Sequence, residues 1–176
     1  NDEFLRPSMV SNCIYDYISA SDNTTTPLRY NVNYRNYYYV SEGDITIKLT
    51  PPSNTKYMNM ITDYDNCEVR SPINPWNIQP QYKADFDKTK FLEVNVKKGD
   101  VFFIPAYWWY SIKFGNKTSV CGLKYRTYMN TIAISPYLFM CMLQRQNVKR
   151  DICKKMDIVQ PDNNTSEKKL IDNNNK

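Results

Sequence analysis

The chain contains no histidine among its 176 residues. That absence excludes a Cys–His nucleophile pair. Five cysteines are present, Cys13, Cys67, Cys121, Cys141 and Cys153. Their number is odd, their spacing is irregular and no CxxC occurs, so without a histidine partner they do not read as a zinc site. Free thiols in a reduced, intracellular protein are the favoured reading. Long hydrophobic runs are missing too. The longest, Val101 to Ile112, is broken by Pro105 and falls well short of the roughly 20 residues a membrane helix needs, so no membrane span is expected. Glycine is scarce at 4 residues, and alanine is also rare.

What is present is an ordinary globular balance, with 41% hydrophobic and 23% charged residues, enough to bury one core. The net charge of +5 comes from basic residues spread along the chain, which reads as solubility, and nucleic acid is not an expected partner. Asn, Tyr, Lys and Ile are abundant. Their codons are AT-rich, which hints at an AT-rich genome such as that of a large DNA virus, a protist or a parasite. The first residue is Asn1 rather than Met, which reads as a fragment or a processed chain.

Strand signals recur with turn signals between them, the pattern of an all-β barrel or sandwich. Cys13 to Ile18 is a short apolar stretch. Asn36 to Val40 is aromatic, and alternation sends Tyr37 and Tyr39 to one face and Tyr38 to the other. After the Gly43-Asp44 turn, Ile45, Ile47 and Leu49 alternate with Thr46 and Lys48, a half-buried strand that Pro51-Pro52 stops. Tyr57 to Ile61 reads as another strand. Ser71 to Asp87 reads as a long ordered loop that Trp76, Tyr82 and Phe86 pin to the barrel. Phe91 to Val96, Val101 to Ile104, Tyr107 to Phe114 and Ser119 to Tyr128 follow as strands, with a hairpin turn at Gly115-Asn116. After Ile134 the period changes. Ser135 reads as an N-cap with Pro136 in the first turn, and Leu138, Phe139, Met142, Leu143, Val148 and Ile152 form a stripe at helical spacing. Asp85, Asp87 and Glu93 read as a solvated face. The expected division is a barrel over 1–134, a helix over 135–160 and a polar tail over 161–176.

One stretch is more specific. GDVFFIPAYWWYSIKF, Gly99 to Phe114, carries a Gly-Asp turn, an apolar strand, Ile-Pro and a Trp pair. It resembles the distal iron-ligand region of the JmjC and cupin-like 2-oxoglutarate oxygenases, in the asparaginyl-hydroxylase-like branch. TPLRYNVNYRNYYYVSEGDITIKLTPP, Thr26 to Pro52, is similar to the family segment that begins Thr-Pro-x-His-x-Asp and runs through an Asn, a Gly and a Pro-Pro. SPINPWNIQPQYKADFDKTKF resembles the family's linker before the second half of the barrel. The resemblance covers roughly 26–128 and implies a double-stranded β-helix, the cupin or jelly-roll fold, with a C-terminal α-helix.

The family's chemistry needs two histidines and a carboxylate on one face of iron(II). By the resemblance, those positions hold Arg29, Asn31 and Tyr110 here. A guanidinium is no ligand, and an amide and a phenol are poor ones. The family's co-substrate lysine aligns with Ile45, while Lys48 has the wrong strand parity to replace it. Thr26, Asn36, Lys124 and Trp108 fall at or near pocket positions and are the candidate ligand-pocket residues. The expectation is a catalytically inactive module with no catalytic residue, no metal and no cofactor. Its expected partner is another protein, or a second copy through the C-terminal helix, as in the resembled oxygenases. An intracellular or virion setting is expected. Two alternatives stay open: an unconventional oxygenase with a non-histidine metal site, and a metal-free binder of a small anion at Arg29.

Overall fold

Alternation of apolar and polar residues builds two antiparallel sheets whose inner faces meet. In the computed structural model, described for residues 2–21, 23–64 and 68–147, the strands run β1 (Val10–Ala20), β2 (Arg29–Tyr30), β3 (Arg35–Glu42), β4 (Asp44–Thr50), β5 (Ile61–Asp63), β6 (Glu68–Arg70), β7 (Leu92–Lys97), β8 (Val101–Pro105), β9 (Trp109–Phe114) and β10 (Thr118–Thr127). Helices α1 (Lys83–Phe86), α2 (Tyr128–Ala133) and α3 (Ser135–Asn147) complete the fold. One sheet has the order β1-β10-β3-β8 and the other β5-β6-β2-β9-β4-β7. Consecutive strands such as β3 and β4 therefore lie in different sheets, which is the double-wound connectivity of a jelly roll.

The two faces of the larger sheet have different cores. Ile45, Ile47, Leu49, Tyr110, Ile112 and Phe114 point inward and meet Tyr38, Val40 and Val120 from the smaller sheet. Trp109, Val69 and Leu28 point outward and are roofed by Met58, Ile73, Tyr82 and Phe86. The segment 71–87 supplies much of that roof. Trp76 Nε1 donates to Ser111 Oγ at 2.8 Å, and Lys48 lies 4.5 Å from the Trp76 ring centre. Lys48 thus faces away from the barrel interior, as its parity requires, and also approaches Glu93 at 3.7 Å.

Several elements differ from the sequence reading. Tyr57 to Ile61 is not a strand. Pro52–Tyr57 forms a 3-10 helix led by a proline at its start, Met58 is fully buried, and the strand begins only at Ile61. β9 starts at Trp109 because Tyr107, with φ of +64°, sits in the turn after Pro105. β1 is longer than Cys13 to Ile18 at both ends. β10 ends at Thr127, whose side chain accepts the Asn130 N–H and starts the unforeseen α2 at Tyr128. Ser135 is the first residue of α3 rather than its cap.

The buried stripe of the last helix is also shifted. Ile134 and Cys141 are buried, with Leu138 half-buried between them, whereas Phe139 and Met142 are half exposed. An amphipathic helix buries residues three and four apart, and here the buried stripe runs through 134, 138 and 141. The expected continuation of the helix to 160, with Val148 and Ile152, and the tail over 161–176 lie outside the described residues. So do Cys67 and Cys153.

Candidate functional site

β2 is only two residues long, but it sits between β6 and β9 and fixes one side of the barrel mouth. Arg29 lies directly opposite Tyr110 on β9 and Arg70 on β6. Directly paired residues share a face, and Glu68, two positions from Arg70, shares it as well. Arg29 Nη1 donates to Glu68 Oε1 at 2.9 Å. The second Glu68 oxygen accepts from Arg70 Nε at 2.8 Å. The Arg29 side chain is 15% exposed, and its guanidinium carbon stands 5.8 Å from the Tyr110 ring centre. Burial by itself would lower the Arg29 pKa. Tyr110, Tyr38 and Glu68 outweigh it, and the pKa lies above the ordinary guanidinium value.

Behind Arg29 a hydrogen-bonded chain joins the two sheets. Asn31 Nδ2 donates to the Tyr110 hydroxyl at 2.9 Å. The Tyr110 and Tyr38 hydroxyls are 2.8 Å apart, with ring centres 5.8 Å apart. Tyr38 comes from β3 of the smaller sheet, and both rings are buried to within 1%. Burial, then the neighbouring Tyr110, pushes the Tyr38 pKa well above its ordinary value of 10.0. The Tyr38 ring lies over Gly122, where a Cβ would meet Tyr38 Cε1 at 3.4 Å and Asp16 Cβ at 3.6 Å. Asp16 in turn forms an ion pair with Lys124.

Three residues singled out from the sequence, Arg29, Asn31 and Tyr110, thus converge on one point of the barrel. Asn36 and Lys124 are register partners on β3 and β10. Asn36 is fully buried, with its Nδ2 on the carbonyls of Asn33 and Ile104, 3.3 Å each. Trp108 is half-buried against the inner core, and Trp109 is buried on the outer side. Thr26 is not part of this group. Its hydroxyl accepts the Ile112 N–H at 2.9 Å, and its carbonyl accepts from Ser111 Oγ at 2.6 Å.

Sequence reasoning missed Glu68 and Asp16. Both are placed by pairing between distant strands, and neither belongs to a local motif. Tyr38 was legible only as a parity. The residues at the mouth do not fit a metal ion. The guanidinium carries the charge a metal would bring, and the two phenols and the Asn31 amide nitrogen hydrogen-bond one another. Among the described residues no group of three or more Cys, Asp or Glu side chains is placed to hold a metal.

A pair of antiparallel sheets wound in this order, with a polar mouth between them, defines a cupin-type β-barrel. The family model described as a cupin-like domain matches residues 15–131, and the chain belongs to that family. Against curated proteins the chain has no significant match. Among solved structures it is similar to hydroquinone 1,2-dioxygenase from Sphingomonas sp. TTNP3 with 4-hydroxybenzoate bound, at 13% identity and a TM-score of 0.41, over 64% of this chain and 60% of that one. It is also similar to Drosophila melanogaster CENP-C bound to CAL1, at 12% identity and a TM-score of 0.40, over 63% and 60%. The Drosophila melanogaster CENP-C cupin domain matches at 12% identity and a TM-score of 0.38, over 63% and 59%. In each case the chain spans less than two thirds of the length of the solved chain.

Proposed function

We propose that this cupin-like domain is a catalytically inactive member of the 2-oxoglutarate oxygenase lineage, kept as a structural or protein-interaction module. The observation that carries the reading is the chain from Asn31 through Tyr110 to Tyr38. It fills the place where the resemblance puts the iron ligands. Arg29 stands beside it with Glu68 as counter-charge, so a fixed cation and its carboxylate take the part of a metal in holding the mouth together. The Glu68 pair supports this structural role for Arg29 over capture of a small anion, because the carboxylate already supplies its counter-charge. Ile45, buried at the family's co-substrate position, supports the loss of 2-oxoglutarate binding.

The interaction half of the reading rests on the helices. α2 exposes Ile132, and α3 exposes Phe139 and Met142, each at least 50% exposed. Apolar side chains at interfaces are commonly aromatic or Met, and the occupant proposed is a second copy of this chain. The AT-biased composition is the ground for placing the domain in a large DNA virus, as a virion or assembly component.

The test is metal content. The purified chain is incubated anaerobically with iron(II) or manganese(II), desalted and assayed for bound metal, then assayed for oxygen uptake with 2-oxoglutarate. Far less than one metal per chain and no uptake are expected. One tightly held metal per chain would overturn the proposal.

A further inference from the structure

One cavity lies outside the barrel mouth. It measures about 710 Å³ and sits between the N-terminal segment, the start of β3 and α2. That volume is in the range of small-molecule sites. Its walls include Met9, Tyr34, Tyr128 and Met129, and Arg35 is its one charged lining residue. Met9 and Met129 are 73% and 74% exposed and form the rim. Met9 also holds a backbone φ of +60°, a left-handed conformation that is uncommon for a side chain of this kind.

Arg35 sets this cavity apart. Arg29, Lys48 and Lys124 are other partly buried cations, and each faces a carboxylate: Glu68, Glu93 and Asp16 respectively. Arg35 has no carboxylate among the described residues. Its guanidinium lies 5.7 Å from the Tyr34 ring centre and reaches the Leu5 carbonyl only at 3.4 Å. No acidic residue lines the cavity. A half-buried cation without a counter-charge, among aromatic and Met side chains, is complementary to a molecule with an apolar body and one carboxylate.

We infer that the cavity between Met9, Arg35 and Met129 binds an amphipathic monocarboxylate, with the carboxylate on Arg35 and the apolar body against Tyr34, Tyr128 and the two methionines. Aliphatic and aryl acids share this chemistry. Polarizable, flexible methionines adapt to either body.

Isothermal titration of the full chain with decanoate below its micelle concentration, and separately with phenylacetate, tests the inference. Saturable binding of at least one acid at one site per chain is expected, and the better ligand tells whether the body is aliphatic or aromatic. Arg35→Gln and Met9→Glu should each weaken it about tenfold or more, since a charge-assisted contact is lost in one and a repelling carboxylate is added in the other. Lys98→Gln, on a distant turn, should leave it unchanged. Should Arg35→Gln fail to fold, Met9→Glu at the exposed rim decides. Absence of saturation by both acids overturns the inference. So does decanol binding as tightly as decanoate, or full affinity in Met9→Glu.

Discussion

Tyr38 shows what one residue on the inner face does to the pH response of the whole barrel. In an unfolded chain its phenol ionises near its ordinary value of 10.0, and in the fold that value is pushed well up by burial and by Tyr110. Between the two values the folded chain holds a proton that the unfolded chain has released. The resulting stability is present in full below pH 10 and is lost as pH rises through the folded-state value. Urea unfolding between pH about 9 and about 11 should show stability falling by up to about 1.4 kcal/mol per pH unit from this group. Tyr38→Phe should cost about 1 kcal/mol at neutral pH through the lost hydroxyl contact and should flatten the alkaline slope. Equal slopes in the two proteins would remove Tyr38 as the titrating group. The sequence reads this residue halfway: alternation puts Tyr38 opposite Tyr37 and Tyr39, but nothing local says that its hydroxyl meets Tyr110 from the other sheet. Arg29, Asn31 and Tyr110 are legible because a family pattern spaces them. The pairing of Arg29 with Glu68, and of Lys124 with Asp16, depends on strands far apart in the chain.

At the scale of elements, short-range chemistry was the readable part. The turn at Gly43-Asp44 is such a case. Gly43 has φ of +74°, and a Cβ there would stand 2.6 Å from Thr118 Oγ1 and 3.0 Å from the Lys117 carbonyl. Both backbone strain and a clash with the β9–β10 hairpin therefore select glycine. Gly43→Ala should destabilise by about 1–3 kcal/mol and lower the thermal midpoint by several degrees in circular dichroism. An unchanged midpoint would mean that the hairpin yields at no cost. Alternation in β3, β4 and β7 was equally plain from the sequence. The 3-10 helix at Pro52–Tyr57 was not, because Tyr57, Met58 and Ile61 look like strand residues until Met58 is seen buried under the outer face of the sheet. The stripe of α3 was off by one face for a related reason. Phe139 and Met142 have helical spacing, but the buried side is the one in line with Ile134, which belongs to the preceding turn.

For the whole molecule, the same shift leaves an unspent apolar surface. An amphipathic helix on a small barrel ordinarily turns charged residues outward. Here α2 and α3 turn Ile132, Phe139 and Met142 outward. A two-fold contact lets one such patch complete itself, since each copy presents the same face to the other. A stable dimer covers about 800 Å² on each partner, which needs both helices, so substitutions on either should act alike. Light scattering on a sizing column should give twice the chain mass at micromolar concentration. Ile132→Asp combined with Phe139→Asp should give the single-chain mass while retaining the strand-rich circular dichroism spectrum, because both side chains are more than half exposed and contribute little to the barrel. A monomer in the unsubstituted chain, or a dimer that survives the double substitution, would direct the search for a partner away from these helices.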